Sequence, residues 1–310
     1  MTVYLFLTFF LMILPGKREA HAFPGSQNAK CITCHGELAK NTVVHPNLET
    51  SCDICHAPNG KEHPKKNVKG FTLTEKLPDL CFNCHSDIQE HFGKYPVIHG
   101  PMRDSVSCMN CHNPHSSPQG RLLKIEKNDL CLSCHSKTIV TDSFRLSNIG
   151  QTLSRARSIH APIVSDGCIT CHNPHFAEKR LLLAGNYPAE QYVKGSADAY
   201  ELCFICHDAE LIGAKTTEKI TNFRNGKNNL HFIHSGGEKG RACTMCHNVH
   251  SAVNDRLISD KLKFGNWEMK IKFELTEKGG SCLTACHIEK SYDRTIPKAV
   301  ALPVQPKKKK

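Results

Sequence analysis

Eight times in this 310-residue chain, two cysteines separated by two residues are followed at once by a histidine. The sites are Cys31, Cys34 and His35; Cys52, Cys55 and His56; Cys81, Cys84 and His85; Cys108, Cys111 and His112. Four more are Cys131, Cys134 and His135; Cys168, Cys171 and His172; Cys203, Cys206 and His207; Cys243, Cys246 and His247. A ninth, Cys282-Leu-Thr-Ala-Cys286-His287, has one extra intervening residue, and with it all 18 cysteines are used. Two thiols one helical turn apart can each form a thioether with the same porphyrin while the adjacent histidine reaches its iron, which makes this pentapeptide the attachment signature of c-type haem. Random placement at this composition would give about 0.07 such pentapeptides. Zinc ribbons and disulfide frameworks also pair cysteines, but neither requires a histidine after every second one. The cofactor expectation is therefore nine covalently attached haems c, the ninth resting on Cys282 having no other partner.

The elements that must position these residues repeat. Each of four units opens with a histidine seven to nine residues before a motif, places another histidine after it, and closes with a second motif. The clearest carry His99 and Asn113-Pro114-His115 around Cys108, and His160 and Asn173-Pro174-His175 around Cys168. A third has His234 and Asn248-Val249-His250 around Cys243; the first is looser, with His45 before Cys52 and His63 after a longer insertion. The expected organisation is a signal peptide at 1–22, a lone first haem site at 23–40, paired-haem repeats at 41–90, 91–150, 151–215 and 216–292, and a basic disordered tail at 293–310. Short helices are expected to carry the motifs, starting near Asp79, Asp129 and Asp198, with loops at 57–70 and 224–241. The fold class expected is mostly α and irregular coil with few strands, a multihaem cytochrome c whose stacked haems form the core. Only about 32 residues of mature chain are available per haem, too few to build a conventional core.

On these motifs and the His-Asn-Pro-His pattern, the sequence resembles the doubled Cys-x-x-Cys-His family of multihaem cytochromes, in which variants with three intervening residues also occur. The resemblance covers nearly the whole mature chain. It implies stacked haem pairs and bis-histidine ligation. Removing the nine proximal histidines from the 20 leaves eleven. His115, His175 and His250 lie three residues after a proximal histidine, too close to reach the far face of the same iron, so each is expected to ligate a neighbouring haem. His45, His99, His160 and His234 recur at the upstream offset, His63 stands in for the tight spacing in the first unit, and His91 and His231 compete for the ninth iron. Met102, Met109, Met245 and Met269 are read as packing, and so is Trp267 with the segment Lys263 to Leu275, expected over a haem.

An apolar run from Val3 to Leu14, followed by Ala20-His21-Ala22, reads as a secretory signal cleaved after Ala22, too short to span a bilayer. The expected location is the periplasm, or the outer surface or extracellular space. The formal charge of +11 invites a nucleic-acid reading, but each oxidised haem with two propionates adds about −1, bringing the holoprotein to roughly +2. No nucleic-acid partner is expected. The function expected is electron transfer between redox proteins, such as quinol-oxidising cytochromes, terminal reductases or outer-membrane conduits, in anaerobic or metal-linked respiration, with no catalytic residue. The alternatives are a reductase of a nitrogen or sulfur compound with one open haem position, and self-assembly into an extracellular haem filament.

Overall fold

With apolar residues thinly spread, the chain has no stretch from which to build a continuous interior. In the computed structural model, which describes residues 28–49, 51–141 and 144–296, the buried apolar side chains are dispersed from Leu48, Phe82 and Met102 through Phe176, Tyr200 and Ile212 to Met245, Ile271 and Tyr292. The signal and its cleavage site fall outside the described residues, as does the tail from 297 onward. No helix among the described residues is long and apolar enough to cross a membrane.

Local hydrogen bonding dominates. Short α-helices run over Asn28–His35, Asp79–Phe82, Lys127–His135 and Glu201–Phe204. Lys127–His135 has a clear start signal: the Glu126 carboxylate accepts from the amides of Asn128, at 2.6 Å, and Asp129, and Asp129 places a further negative charge in the first turn. Single 3-10 turns occupy Cys52–Ile54, Ser107–Asn110, Cys168–Thr170 and Cys243–Met245.

The repeats are knitted by two-residue antiparallel pairings that each join one unit to the next. Val43–Val44 pairs with Ser116–Ser117, Val97–Ile98 with Phe176–Ala177, and Ser158–Ile159 with Ser251–Ala252. Each pairing is extended by one further bond: the amides of His45, His99 and His160 donate to the carbonyls of His115, His175 and His250 at 2.8, 2.9 and 3.0 Å.

Longer strands gather near the C-terminus. Lys261–Phe264 and Trp267–Lys270 form a hairpin, and Lys272–Leu275, Gly279–Thr284 and His287–Asp293 form a three-stranded sheet. One local expectation changes here. Residues 224–241 are not a plain loop: they hold a hairpin, Arg224–Asn225 with Asn228–Asn229, and the helix Leu230–Ser235, capped by the Asn229 side chain. Trp267 sits beside the turn of the hairpin Lys261–Phe264 with Trp267–Lys270, 75% exposed.

Candidate haem sites

At each of the eight regular motifs the backbone makes one tight turn. The amide of the second cysteine donates to the carbonyl of the first at Cys55, Cys84, Cys111, Cys171, Cys206 and Cys246, and the amide of the following histidine reaches that same carbonyl at His85, His112, His172, His207 and His247. One turn thus sets two thiols and an imidazole side by side. The second motif of each of the first three pairs uses an α-helix, as does the lone site, whereas the first motif of every pair uses a 3-10 turn. The ninth departs from helix altogether: Cys282 lies in the strand Gly279–Thr284, and His287 opens the strand His287–Asp293. Its extra residue belongs to the connection between two strands, where the register slips between Cys282 and Thr284.

Three of the proximal imidazoles are held by a strained device that recurs. Arg121 and Leu122, Leu181 and Leu182, and Arg256 and Leu257 all adopt φ between 57° and 59°, a left-handed conformation that costs a non-glycine residue roughly 1 kcal/mol or more. The strain turns two carbonyls toward the motif. Those of Arg121, Leu181 and Arg256 meet Nδ1 of His112, His172 and His247 at 2.8, 2.9 and 3.0 Å. Those of Leu122, Leu182 and Leu257 accept from the amides of Asn113, Asn173 and Asn248. A proton fixed on Nδ1 leaves Nε2 as the free electron pair, which is the arrangement a metal requires. The asparagine side chains then accept from the amides of His115, His175 and His250, bending the chain at the His-Asn-x-His step.

The histidines meet in pairs. His35 faces His63, His56 faces His115, His85 faces His45, His112 faces His175, His135 faces His99, His172 faces His250, His207 faces His160 and His247 faces His231. Ring centres are separated by 5.9 to 6.4 Å, and six of the eight pairs lie within 18° of parallel. That distance is too long for a hydrogen bond or for stacking contact. An atom bonded to a nitrogen of each ring at about 2 Å would set the centres about 6 Å apart. The spacing therefore fits an iron between two imidazoles, with the paired thiols placed to hold its macrocycle.

The pairing follows a rule. A histidine upstream of a unit faces the second motif histidine of its own unit, whereas the one after Asn-x faces the first motif histidine of the unit before. His63 obeys the second rule by serving the lone site. The fourth unit pairs within itself, through the helix Leu230–Ser235: His231 faces His247, while His234 lies within electrostatic range of His287. Of the two candidates for the remaining iron, His91 goes elsewhere. It stacks on Phe176 and Tyr95, and its Nδ1 meets the carbonyl of Asp87 at 2.6 Å.

The thiols report which motifs are neighbours. Cys31 and Cys52, Cys81 and Cys108, Cys131 and Cys168, and Cys203 and Cys243 form hydrogen-bonded pairs, in which the partner's S–H group lowers the pKa of Cys108 and Cys168. Cys55 lies within electrostatic range of Cys84, Cys111 of Cys134, Cys171 of Cys203 and Cys206, and Cys246 of Cys282 and Cys286. Each motif thus has a thiol within hydrogen-bond or electrostatic range of the next one along the chain. Burial lowers the basicity of the distal rings, taking His231 and His250 to about 4, and a neutral ring is the form that binds metal. Nowhere among the described residues do three His, Cys, Asp or Glu side chains converge as a metal site made of protein alone requires.

Sequence reasoning missed the carbonyls of Arg121, Leu181 and Arg256. The signal was present, since each stands nine residues after its motif histidine and precedes a leucine.

Comparison with known proteins points to the same motifs. A family model described as doubled CXXCH motif matches residues 45–90, 99–139 and 160–211. The multiheme cytochrome MtrA of Shewanella baltica (strain OS185) is 28% identical over 209 residues, 61% of this chain and 54% of that protein. The chain thus spans about half the length of the curated relative it matches.

Proposed function

We infer the function from one premise: the chain is a multihaem c-type cytochrome with doubled CXXCH motifs, an electron-transfer protein. We propose that it holds nine haems, each between two histidines, and passes electrons along them in the order of the sequence. The observation that carries the proposal is the set of eight facing imidazole pairs, with His234 and His287 as the ninth. Each haem would supply an iron that takes up and gives back one electron, and a second histidine on that iron leaves no position for a substrate.

The protein's own part is positional. The cysteine pairs fix each site to the turn that carries it, and the carbonyls of Arg121, Leu181 and Arg256 orient the proximal rings. His115, His175 and His250 lock neighbouring units at fixed separation. The nearness of consecutive motifs supports an unbranched route from the first site to the ninth. The relationship to a multiheme cytochrome MtrA supports export and exchange of electrons with other redox proteins, in the periplasm or at the outer surface, as part of anaerobic or metal-linked respiration. Quinol-oxidising cytochromes, terminal reductases and outer-membrane conduits are the partner classes this reading implies.

Counting haem by pyridine haemochrome and recording the EPR spectrum of the oxidised holoprotein tests the proposal. Nine haems with low-spin signals are expected. A substantial high-spin ferric signal would mean that one iron lacks its second histidine and would favour the reductase. A count of eight would remove the Cys282 site.

A further inference from the structure

The loop that supplies the second histidine of the first site is unlike the other ligand-bearing segments. It runs from Asn59 to Gly70 and its ends are tied together: the Asn59 amide donates to the Gly70 carbonyl at 3.0 Å, and the Asn59 side chain to that of Lys69 at 2.7 Å. The Asn59 Oδ1 accepts from the Lys61 amide, and the Val68 amide reaches the Lys65 carbonyl. The result is a compact surface loop closed at its base. His63 is fixed within it by Phe71, whose ring meets it edge-on at 5.2 Å, and by Gly70, which leaves room for its Cβ.

Lys61, Lys65, Lys66 and Lys69 stand around His63, all exposed, with Glu62 as the one acidic residue of the loop, paired to Lys65. His35 and His63 are themselves exposed, which places the first site at the surface. The loop thus carries four lysines against one carboxylate, a net positive patch beside the first site. Lys272 and Lys290, in the sheet that carries the ninth motif, serve as the comparison.

We propose that this loop is the docking surface for an acidic redox protein, which exchanges electrons with the chain at the first site. The proposal rests on the reading of His35 and His63 as ligands of one iron. Lysines clustered around the place where an electron enters or leaves attract a negatively charged partner over a Debye length of about 10 Å at 0.1 M salt and raise the rate of productive encounter. The same loop then ligates and recruits, so that docking brings the partner to the most accessible site.

The test is stopped-flow reduction of the oxidised holoprotein by reduced flavodoxin, a small acidic flavoprotein, beside photoreduced lumiflavin, a small uncharged reductant. The variant carries K61E, K65E, K66E and K69E, with a milder set of Lys→Gln changes at the same positions. Flavodoxin should reduce the charge-reversed protein roughly tenfold more slowly at low salt. The difference should shrink as salt is raised, the glutamine set should fall between, and lumiflavin rates and the low-spin spectrum should stay unchanged. Unchanged flavodoxin rates would overturn the docking surface, as would an equal slowing produced instead by K272E and K290E. A high-spin signal from the first site of the parent protein would instead undo the assignment of His63 as a ligand, on which docking rests.

Discussion

His115 faces His56 at 6.0 Å, with the two rings 17° from parallel, although His115 stands only three residues after a different motif histidine, His112. On the proposed bis-histidine reading, the first motif of each of the first three units is thus completed by the following unit. His115→Ala should leave the iron at His56 with one protein ligand while His112 keeps His175. One low-spin haem should be replaced by one high-spin haem in the EPR spectrum, and added imidazole should restore the low-spin signal. Perturbation of the His112 site instead, tracked by the additional variant His175→Ala, would contradict the pairing.

His231 and His91 provide a second contrast. His91→Ala should leave the haem spectrum unchanged, because its ring contacts Phe176 and Tyr95 and no motif histidine. His231→Ala should convert one haem to high spin. Equal spectra for the two variants would show that the helix Leu230–Ser235 does not complete the last unit.

Gly70 has no room for a side chain, since a Cβ there would lie 2.5 Å from Cβ of His63. Gly70→Ala should push His63 away from His35 and make the first site labile. Azide or imidazole should then bind one haem of the variant and none of the parent, as read by absorbance titration.

Arg121 holds a φ of 57° with its side chain exposed. Glycine occupies that region without the Cβ penalty, so Arg121→Gly should raise stability by about 1 kcal/mol, less the entropy glycine adds to the unfolded chain. Arg121→Val, β-branched at the same angle, should lower it by at least as much. The midpoint of guanidinium unfolding, followed by haem absorbance, gives both signs.

The cofactor sites were legible because thioether attachment demands residues close together in sequence: cysteine spacing and the adjacent histidine are local signals. So was the inability of His115, His175 and His250 to serve their own motif, which is a matter of reach. The choice of neighbour was not legible. It depends on two-residue pairings such as Val97–Ile98 with Phe176–Ala177, far apart along the chain and too short to show an alternating pattern. The hairpin around Cys282 was hidden for a related reason, since its motif resembles the helical ones and strand pairing alone decides the outcome. His91 and His231 looked equivalent as isolated histidines. What separates them is the aromatic surface that Phe176, from a later unit, lays against His91.

Completion of the first three units by the next, as proposed, also bears on how such a chain would be made. Sites on an exported polypeptide emerge in order, so the site at His56 would have one ligand until His115 arrives, and the site at His172 would wait for His250. Maturation would then run a step behind export, with one or two half-finished irons at the growing end. His231 shortens the lag for its own site: standing sixteen residues ahead of the histidine it faces, it would already be outside when His247 appears, and the fourth unit would close on itself like a clasp.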